Sequence, residues 1–297
     1  MTLLIFFLTA IVGGTGSPLI KHAVEIFPPM SFIFLRGILS SILILPFAYK
    51  EIKNPKPHKK LLFISTLLFA ANWVFFALGI QRTTVLMGQA IYIPTGIIVA
   101  IIGFIFLKEK LTREQISGLV ITLLGLSVLI VGSVKGQDLS SVGTPLGNLL
   151  VVGGLLSWAS FTVVSRKISA YYSTFGLTII NFATTAVLAL AIMPLVGESP
   201  TSIPVNSSSV VSILSVTAGT TAFFLLYQYL IKNTSAFLAS LVIYPVSVFG
   251  ALGGIIFYGE KLTPAFVTGS ALIVLGVFTA TSYQYAKKYI RWPLIYR

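Results

Sequence analysis

Seven uncharged polar and aromatic side chains lie near the middle of long apolar runs, where hydrocarbon offers them no hydrogen-bond partner. Gln89 and Tyr92 are three residues apart and therefore share one face of a helix. Tyr244 and Ser247 repeat that spacing in a later run. Amide and hydroxyl groups beside aromatic rings can orient the polar end of a small solute and pack its apolar part. The predicted substrate-binding residues are Asn72, Trp73, Gln89, Tyr92, Trp158, Tyr244 and Ser247.

Two prolines, Pro94 and Pro245, interrupt the runs that contain Gln89 and Ser247. A proline inside a helix removes one backbone donor and disturbs the preceding turn. Broken helices can place free carbonyl groups beside a cavity or act as hinges. We therefore expect both prolines to contribute to substrate contact or gating. The alternatives are a tolerated membrane kink for the prolines and bonding between helices, or an interfacial position, for the polar side chains.

Charged side chains are nearly absent from the apolar runs. Arg36 is the one charge clearly inside a run, and Lys21 stands at the expected outer end of the first run. Each is a candidate for attracting a substrate carboxylate or for gating. The alternative is a cation that extends to the headgroups or clamps helix-end carbonyls. All seven acidic residues fall in loops or at run ends, so no proton-exchanging carboxylate is expected within the membrane.

Catalytic and metal-binding chemistry is not predicted. The chain has no cysteine, and its two histidines, His22 and His58, lie in connecting segments. An intramembrane aspartyl protease needs two aspartates at membrane depth, whereas the single aspartate, Asp138, lies in a loop. We therefore expect no catalytic residue, no metal site and no cofactor, and predict that the protein is not an enzyme.

The elements that must position these side chains follow from composition. Hydrophobic residues make up 56% and charged residues 9% of the 297 positions, whereas a soluble domain carries about 25% charge. The apolar runs are about 20 residues long, the length a helix needs to cross roughly 30 Å of hydrocarbon. They do not alternate as barrel strands do. This predicts an all-α integral membrane protein with ten transmembrane helices: Leu3–Ile20, Met30–Tyr49, Leu61–Ile80, Thr84–Leu107, Gln115–Ser133, Leu146–Val164, Ser173–Val196, Ser209–Ile231, Ser235–Tyr258 and Pro264–Tyr283.

The distribution of basic residues predicts the orientation. With the N-terminus inside, fifteen of the twenty Lys and Arg residues fall on the cytoplasmic side, four fall outside, and Arg36 lies within a helix. Because Lys and Arg accumulate in cytoplasmic loops, the net charge of +13 indicates topology rather than a nucleic-acid partner. We predict a multi-pass protein of the cytoplasmic membrane with both termini cytoplasmic. Its expected partners are membrane lipids and a small-molecule substrate, and its oligomeric state is left open.

The chain also repeats itself at a spacing of 151 residues. So many matches in register indicate duplication, with a first five-helix repeat at 1–142 and a second at 143–297. Because each half has an odd number of helices, the second enters the membrane inverted, and such pairs recur in transporters around a central cavity. The matching positions are Pro94 and Pro245, Glu109-Lys110-Leu111-Thr112 and Glu260-Lys261-Leu262-Thr263, Gly118 and Gly269, and Gly125 and Gly276.

These features together resemble the EamA branch of the drug/metabolite transporter superfamily. The resemblance rests on the paired halves, Lys21 ending helix one, Arg36 early in helix two and the doubled Glu-Lys-Leu-Thr segment, and it covers almost the whole chain. One departure is Val12, which stands where a tryptophan is frequent, while Trp158 keeps that position in the second half. The resemblance implies a transporter of amino acids or similar neutral metabolites, acting as an exporter by alternating access. A small-solute channel and an intramembrane enzyme are the alternatives.

Overall fold

The computed structural model describes residues 2–52, 58–107, 113–132, 142–199, 203–234 and 236–290. All regular structure in these ranges is helical. A short 3₁₀ helix, Met193–Val196, extends the eighth helix. The helices are α1 Thr2–Ile26, α2 Pro29–Ile52, α3 Lys59–Ile80, α4 Val85–Tyr92, α5 Thr95–Leu107, α6 Arg113–Gly132, α7 Pro145–Ile168, α8 Thr174–Ile192, α9 Ser207–Asn233, α10 Ala236–Ser240, α11 Ile243–Tyr258 and α12 Pro264–Ile290.

The described helices confirm the predicted fold class of a multi-helix membrane protein. Seven segments in these ranges are long and apolar enough to cross a membrane, by length and composition, with α4 and α5 counted together. Three shorter apolar helices, Ile116–Gly125, Ile243–Tyr258 and Pro264–Gly276, supply the remaining predicted positions. Large apolar side chains point outwards, as with Phe47 at 69% and Phe257 at 75% exposure. Such exposure is stable in hydrocarbon, where burial of apolar surface brings no gain.

The fourth and ninth predicted spans are each divided into two helices. α4 ends at Tyr92 and α5 begins at Thr95, with Pro94 between them. In the second half α10 ends at Ser240 and α11 begins at Ile243, which places Pro245 in the first turn of α11. Proline suits that position, because the first turn of a helix has no internal acceptor for its N–H groups.

Four helix pairs make the most extensive contacts: α6 with α12, α3 with α7, α2 with α8, and α1 with α9. Small residues set the closest of these approaches. A Cβ atom on Gly125 would lie 2.7 Å from the carbonyl oxygen of Gly269, and one on Gly276 would lie 2.6 Å from that of Gly118. Only glycine allows the backbones of α6 and α12 to approach this closely.

The helix ends are held by long-range contacts. α1 runs past its predicted end to Ile26, so Lys21 lies inside the helix rather than at its terminus. Its Nζ donates to the carbonyl oxygens of Ile80 at 2.9 Å and Thr83 at 2.7 Å, where α3 ends. These bonds pair the ammonium group with carbonyl groups that the end of α3 leaves without an internal donor. The first Glu-Lys-Leu-Thr segment, residues 109–112, lies outside the described residues.

Candidate functional site

A cavity of about 110 Å³ lies where α1, α2, α3, α4, α7, α9 and α11 meet. Its wall combines aromatic rings, amides and hydroxyls with one guanidinium group. The described acidic residues do not line it. The fold thus brings together most of the side chains singled out in the sequence, although their role in binding stays a prediction. The predicted residues in the wall are Arg36, Asn72, Trp73, Gln89, Tyr92, Trp158 and Ser247.

Gln89 joins three helices at the cavity wall. Its Nε2 donates to Ser17 Oγ of α1, and its backbone carbonyl accepts from Ser247 Oγ of α11 at 3.4 Å. A Cβ atom on Gly250 would lie 2.5 Å from the Gln89 side-chain Cδ. Glycine at this position therefore leaves the space that the amide occupies. A change at Gln89 would affect α1 and α11 as well as the cavity.

Asn72 and Tyr92 form a second polar junction. The Nδ2 of Asn72 donates to Tyr92 Oη at 2.6 Å and to the carbonyl oxygen of Gly154 at 3.0 Å. A Cβ atom on Gly154 would lie 2.7 Å from the Tyr92 hydroxyl, so the glycine leaves room for this pair. The contacts tie α3 to α4 and α7, immediately before the break between α4 and α5.

Aromatic rings in the cavity wall pack against one another and against Tyr227, which is fully buried outside the described wall. The Trp158 ring lies 4.6 Å from the Tyr227 ring, with 29° between their planes, and Tyr227 is also stacked with Phe223. Trp73 lies 5.8 Å from Phe224 between ring centroids. Ring pairs at these spacings add about 0.5–1.5 kcal/mol beyond their buried area. They provide a rigid apolar surface against which a solute can pack.

Arg36 is buried at the same wall, with 6% of its surface exposed. Its Cζ lies 3.8 Å from the Trp73 ring centroid, a cation–π contact. Its Nε donates to Thr220 Oγ1 of α9 at 2.8 Å. The guanidinium therefore faces the protein interior and does not extend to the headgroup region. The sequence alone did not distinguish this interior position from one in which Arg36 extends to the headgroups.

Four other predicted residues lie outside the described wall: Tyr244, Lys21, Pro94 and Pro245. For Tyr244 the reason is its angular position on α11. Ile243, Val246 and Ser247 form the cavity-facing stripe, and Tyr244 is one residue, or about 100°, from its start. Its hydroxyl lies 3.0 Å from where a Cβ on Gly96 of α5 would stand, and it has no hydrogen-bond partner in the described chain.

Sequence reasoning did not identify Ser17 and Thr220 as wall residues. Both are hydroxyl groups within apolar helices, but that signal is weak. A hydroxyl in a membrane helix can bond to a carbonyl of its own helix, as Thr9 Oγ1 does to Ile5 at 2.6 Å. In the described ranges no group of three or more His, Cys, Asp or Glu side chains could hold a metal ion.

The start of α4 is capped by a carboxylate from a distant part of the chain. Glu260 accepts hydrogen bonds from the backbone amides of Val85 at 2.6 Å and Leu86 at 2.7 Å. These are N-terminal helix amides without an internal acceptor, and the helix dipole favours an anion there. Burial raises the pKa of the Glu260 carboxyl above its ordinary value, while the two amides and the Lys21 ammonium act in the opposite direction. We name this contact of Glu260 with Val85 and Leu86 the Glu260 clamp.

A basic side chain also closes the end of α9. Arg166 Nη1 donates to the carbonyl oxygens of Ile231 at 3.0 Å and Lys232 at 2.6 Å. This matches the contact between Lys21 and the end of α3, because Ile80 and Ile231 are 151 residues apart. A cation of α1 thus binds the end of α3, and a cation of α7 binds the end of α9.

Comparisons with known proteins agree with this architecture. The sequence model of the EamA-like transporter family matches residues 1–131 and 145–282. An uncharacterized transporter of Archaeoglobus fulgidus is 25% identical over 91% of this chain and 95% of its own length. The uncharacterized inner membrane transporter YedA of Escherichia coli K12 is 27% identical over 96% and 92%, respectively. A solved crystal structure with 18% identity superposes with a TM-score of 0.67 over 95% of this chain and 96% of that one, which shows a shared fold.

Proposed function

The chain belongs to the EamA-like transporter family, and from this premise we propose that it exports small, partly apolar metabolites, such as amino acids or similar neutral compounds, by alternating access. The observation that carries the proposal is the interior cavity, whose wall joins amides and hydroxyls to stacked aromatic rings. Its volume of about 110 Å³ is below the roughly 300 Å³ at the lower end for drug-sized ligands. It therefore favours a small solute.

Two inverted halves, 1–142 and 143–297, would explain the packing. If the second five spans repeat the first five, the pairs α1 with α9 and α7 with α3 are equivalent. The contacts of Gly125 with Gly269 and of Gly276 with Gly118 would be equivalent in the same way, which supports this arrangement. The two separate matches to the family also support duplication. An in-plane pseudo-twofold of this kind lets one arrangement open to either side.

In the proposed cycle the broken helices move, and the outer and cytoplasmic ends of the cavity open in turn. The Glu260 clamp and Lys21 close the outer end of the cavity, since both adjoin wall residues of α1 and α4. Arg166 closes the cytoplasmic end through α9. The breaks beside Pro94 and before Pro245 supply hinges close to the cavity. Enzymatic activity has no place in this cycle.

Membrane orientation gives the first test. We expect a reporter fused after Arg297 to be cytoplasmic and one inserted at Gly143 to be external, because the basic residues lie mostly on one side. A protease-protection or reporter-activity assay in intact cells measures both. Reporters on the same side would contradict an odd number of spans in each half and hence the inverted repeat.

Flux measurements test the carrier itself. Purified protein in liposomes is expected to move a radiolabelled metabolite from a screened panel at a rate that saturates with concentration. Saturation follows from a cavity that must bind each solute before it can reopen. Flux that rises without limit, or single-channel conductance, would favour the small-solute channel instead. Empty liposomes and liposomes with an unrelated membrane protein give the background leak.

A further inference from the structure

Resting on the proposed function, we propose that Arg36 anchors the carboxylate of the transported solute, so that the site selects small organic carboxylates with an apolar body and does not require their amino group. The alternative expectation from the neutral lining is a solute recognised by amides and hydroxyls alone. The two differ in which functional group of the solute is indispensable.

The guanidinium of Arg36 has donors to spare. Its single hydrogen bond to the described residues is from Nε to Thr220 Oγ1. A guanidinium carries five N–H donors, so the four on Nη1 and Nη2 remain available. No carboxylate of the described chain pairs with it, because Glu198, Glu260 and the other described acids lie away from the cavity wall. A charge at membrane depth without a counter-charge is costly and marks a functional site.

The surroundings hold the guanidinium ready for a planar anion. Its Cζ lies over the Trp73 ring, 3.8 Å from the centroid, and its Nε donates to Thr220. These two contacts leave Nη1 and Nη2 without a described hydrogen-bond partner, and their N–H groups match a carboxylate in a bidentate pair. Trp158 and Phe223, in the same wall, offer an apolar surface for the rest of the solute. The cavity wall thus combines a cation for a carboxylate with an apolar surface for hydrocarbon.

The described wall provides no charged partner for an ammonium group. A carboxylate or a phenolate would be its natural partner, yet the described wall provides only neutral acceptors such as Ser17, Asn72 and Ser247. Arg36 itself repels a cation. We expect the carboxylate of an amino acid, which meets a charge, to contribute more than its ammonium, which meets neutral acceptors and repulsion from Arg36, so the des-amino acid should bind about as well.

A matched ligand series tests this inference. Leucine, 4-methylpentanoate, 3-methylbutylamine and 4-methylpentanamide share one apolar skeleton and differ in the presence of the carboxylate and the amine. Binding is followed by tryptophan fluorescence of the full chain, because two of its three tryptophans, Trp73 and Trp158, line the cavity. A Trp292→Phe background removes the third. We expect saturable changes with leucine and 4-methylpentanoate, and at least about tenfold weaker responses with the amine and the amide.

Variants of Arg36 separate recognition from structure. Arg36→Gln is expected to lower the affinity for 4-methylpentanoate by about tenfold to a hundredfold and to leave the affinity for 4-methylpentanamide unchanged. Arg36→Lys should recover part of the lost affinity. Thr220→Val removes the acceptor for Arg36 Nε and should cause a smaller loss of affinity for 4-methylpentanoate. This variant tests the inference if Arg36→Gln does not fold. The matched control is Arg82→Gln, since Arg82 is exposed and the hydrogen bonds of its guanidinium within the described residues go to Leu78 and Gln81, away from the cavity wall.

Three outcomes of the binding experiments would overturn the inference. The first is an equal loss for the carboxylate and its amide in Arg36→Gln, which indicates a structural arginine. The second is an amine that binds as tightly as the carboxylate. The third is no saturable response to any member of the series. Saturable transport of an uncharged metabolite that Arg36→Gln leaves intact would sustain the proposed carrier and reject its carboxylate selectivity, so the two failures are distinguishable.

Discussion

Replacing Glu260 by alanine is expected to open the outer end of the cavity to water. The change removes the acceptor for the amides of Val85 and Leu86, which the Glu260 clamp holds at 2.6 and 2.7 Å. An unpaired buried donor costs about 1–3 kcal/mol, and hydrogen bonds to a charged group are stronger than neutral ones. The start of α4, three residues before Gly88 of the cavity wall, would lose its anchor.

Thiol labelling measures this opening. Because the chain has no cysteine, Gln89→Cys introduces a single reactive site in the cavity wall. In the Glu260→Ala background, a membrane-impermeant reagent added outside should label this cysteine at least about tenfold faster. A closed state destabilised by ~1.4 kcal/mol increases the population of the open state about tenfold. Glu260→Gln, whose amide oxygen can still accept one bond, should lie between the two.

Glu198 provides the matched control. Its carboxylate accepts from the backbone amides of Met30 at 3.2 Å and Ser31 at 2.8 Å, so it too caps a helix start, but the helix is α2. Glu198→Ala should lower thermal stability without accelerating labelling at position 89. Equal labelling rates in the wild-type and Glu260→Ala backgrounds would show that the clamp does not hold the outer end closed.

Replacing Gln89 by alanine is expected to weaken substrate binding by about tenfold or more, since a lost amide bond at a buried site is worth about 1–3 kcal/mol. The side chain lies in the cavity wall and donates to Ser17. Its removal takes an amide away from the wall and leaves the Ser17 hydroxyl without this donor. The measurement is the concentration for half-maximal flux in liposomes, together with the ligand concentration for half-maximal fluorescence change.

A second buried amide separates binding from folding. Gln228 exchanges hydrogen bonds with Ser165 at 2.9 and 3.0 Å, which joins α9 to α7 away from the described wall. Gln228→Ala should therefore cost a similar amount of stability and leave substrate affinity unchanged. If both variants reduced affinity equally, or neither did, the contribution of Gln89 would be structural and the binding prediction would be wrong.

The sequence alone was sufficient for the membrane fold and for most of the polar side chains in the cavity wall. A chain in hydrocarbon must satisfy its backbone internally, so apolar runs of span length indicate helices directly. Polar groups in those runs avoid lipid, which is why residues such as Asn72, Gln89 and Ser247 lie in the interior. The prolines at 94 and 245 marked the two interrupted spans.

Which side chains contact one another across helices could be learned only from the tertiary structure. Periodicity assigns a side chain to a face of its own helix, but which face borders the cavity depends on packing, and on α11 it is the face of Ile243, Val246 and Ser247 rather than that of Tyr244. Arg36 could have extended to the headgroups, yet Thr220, 184 residues away, and Trp73 hold it at the cavity. Glu260 reaches the start of α4 across 175 residues. Such contacts depend on which helices pack together, and that choice is a property of the whole chain rather than of any local pattern.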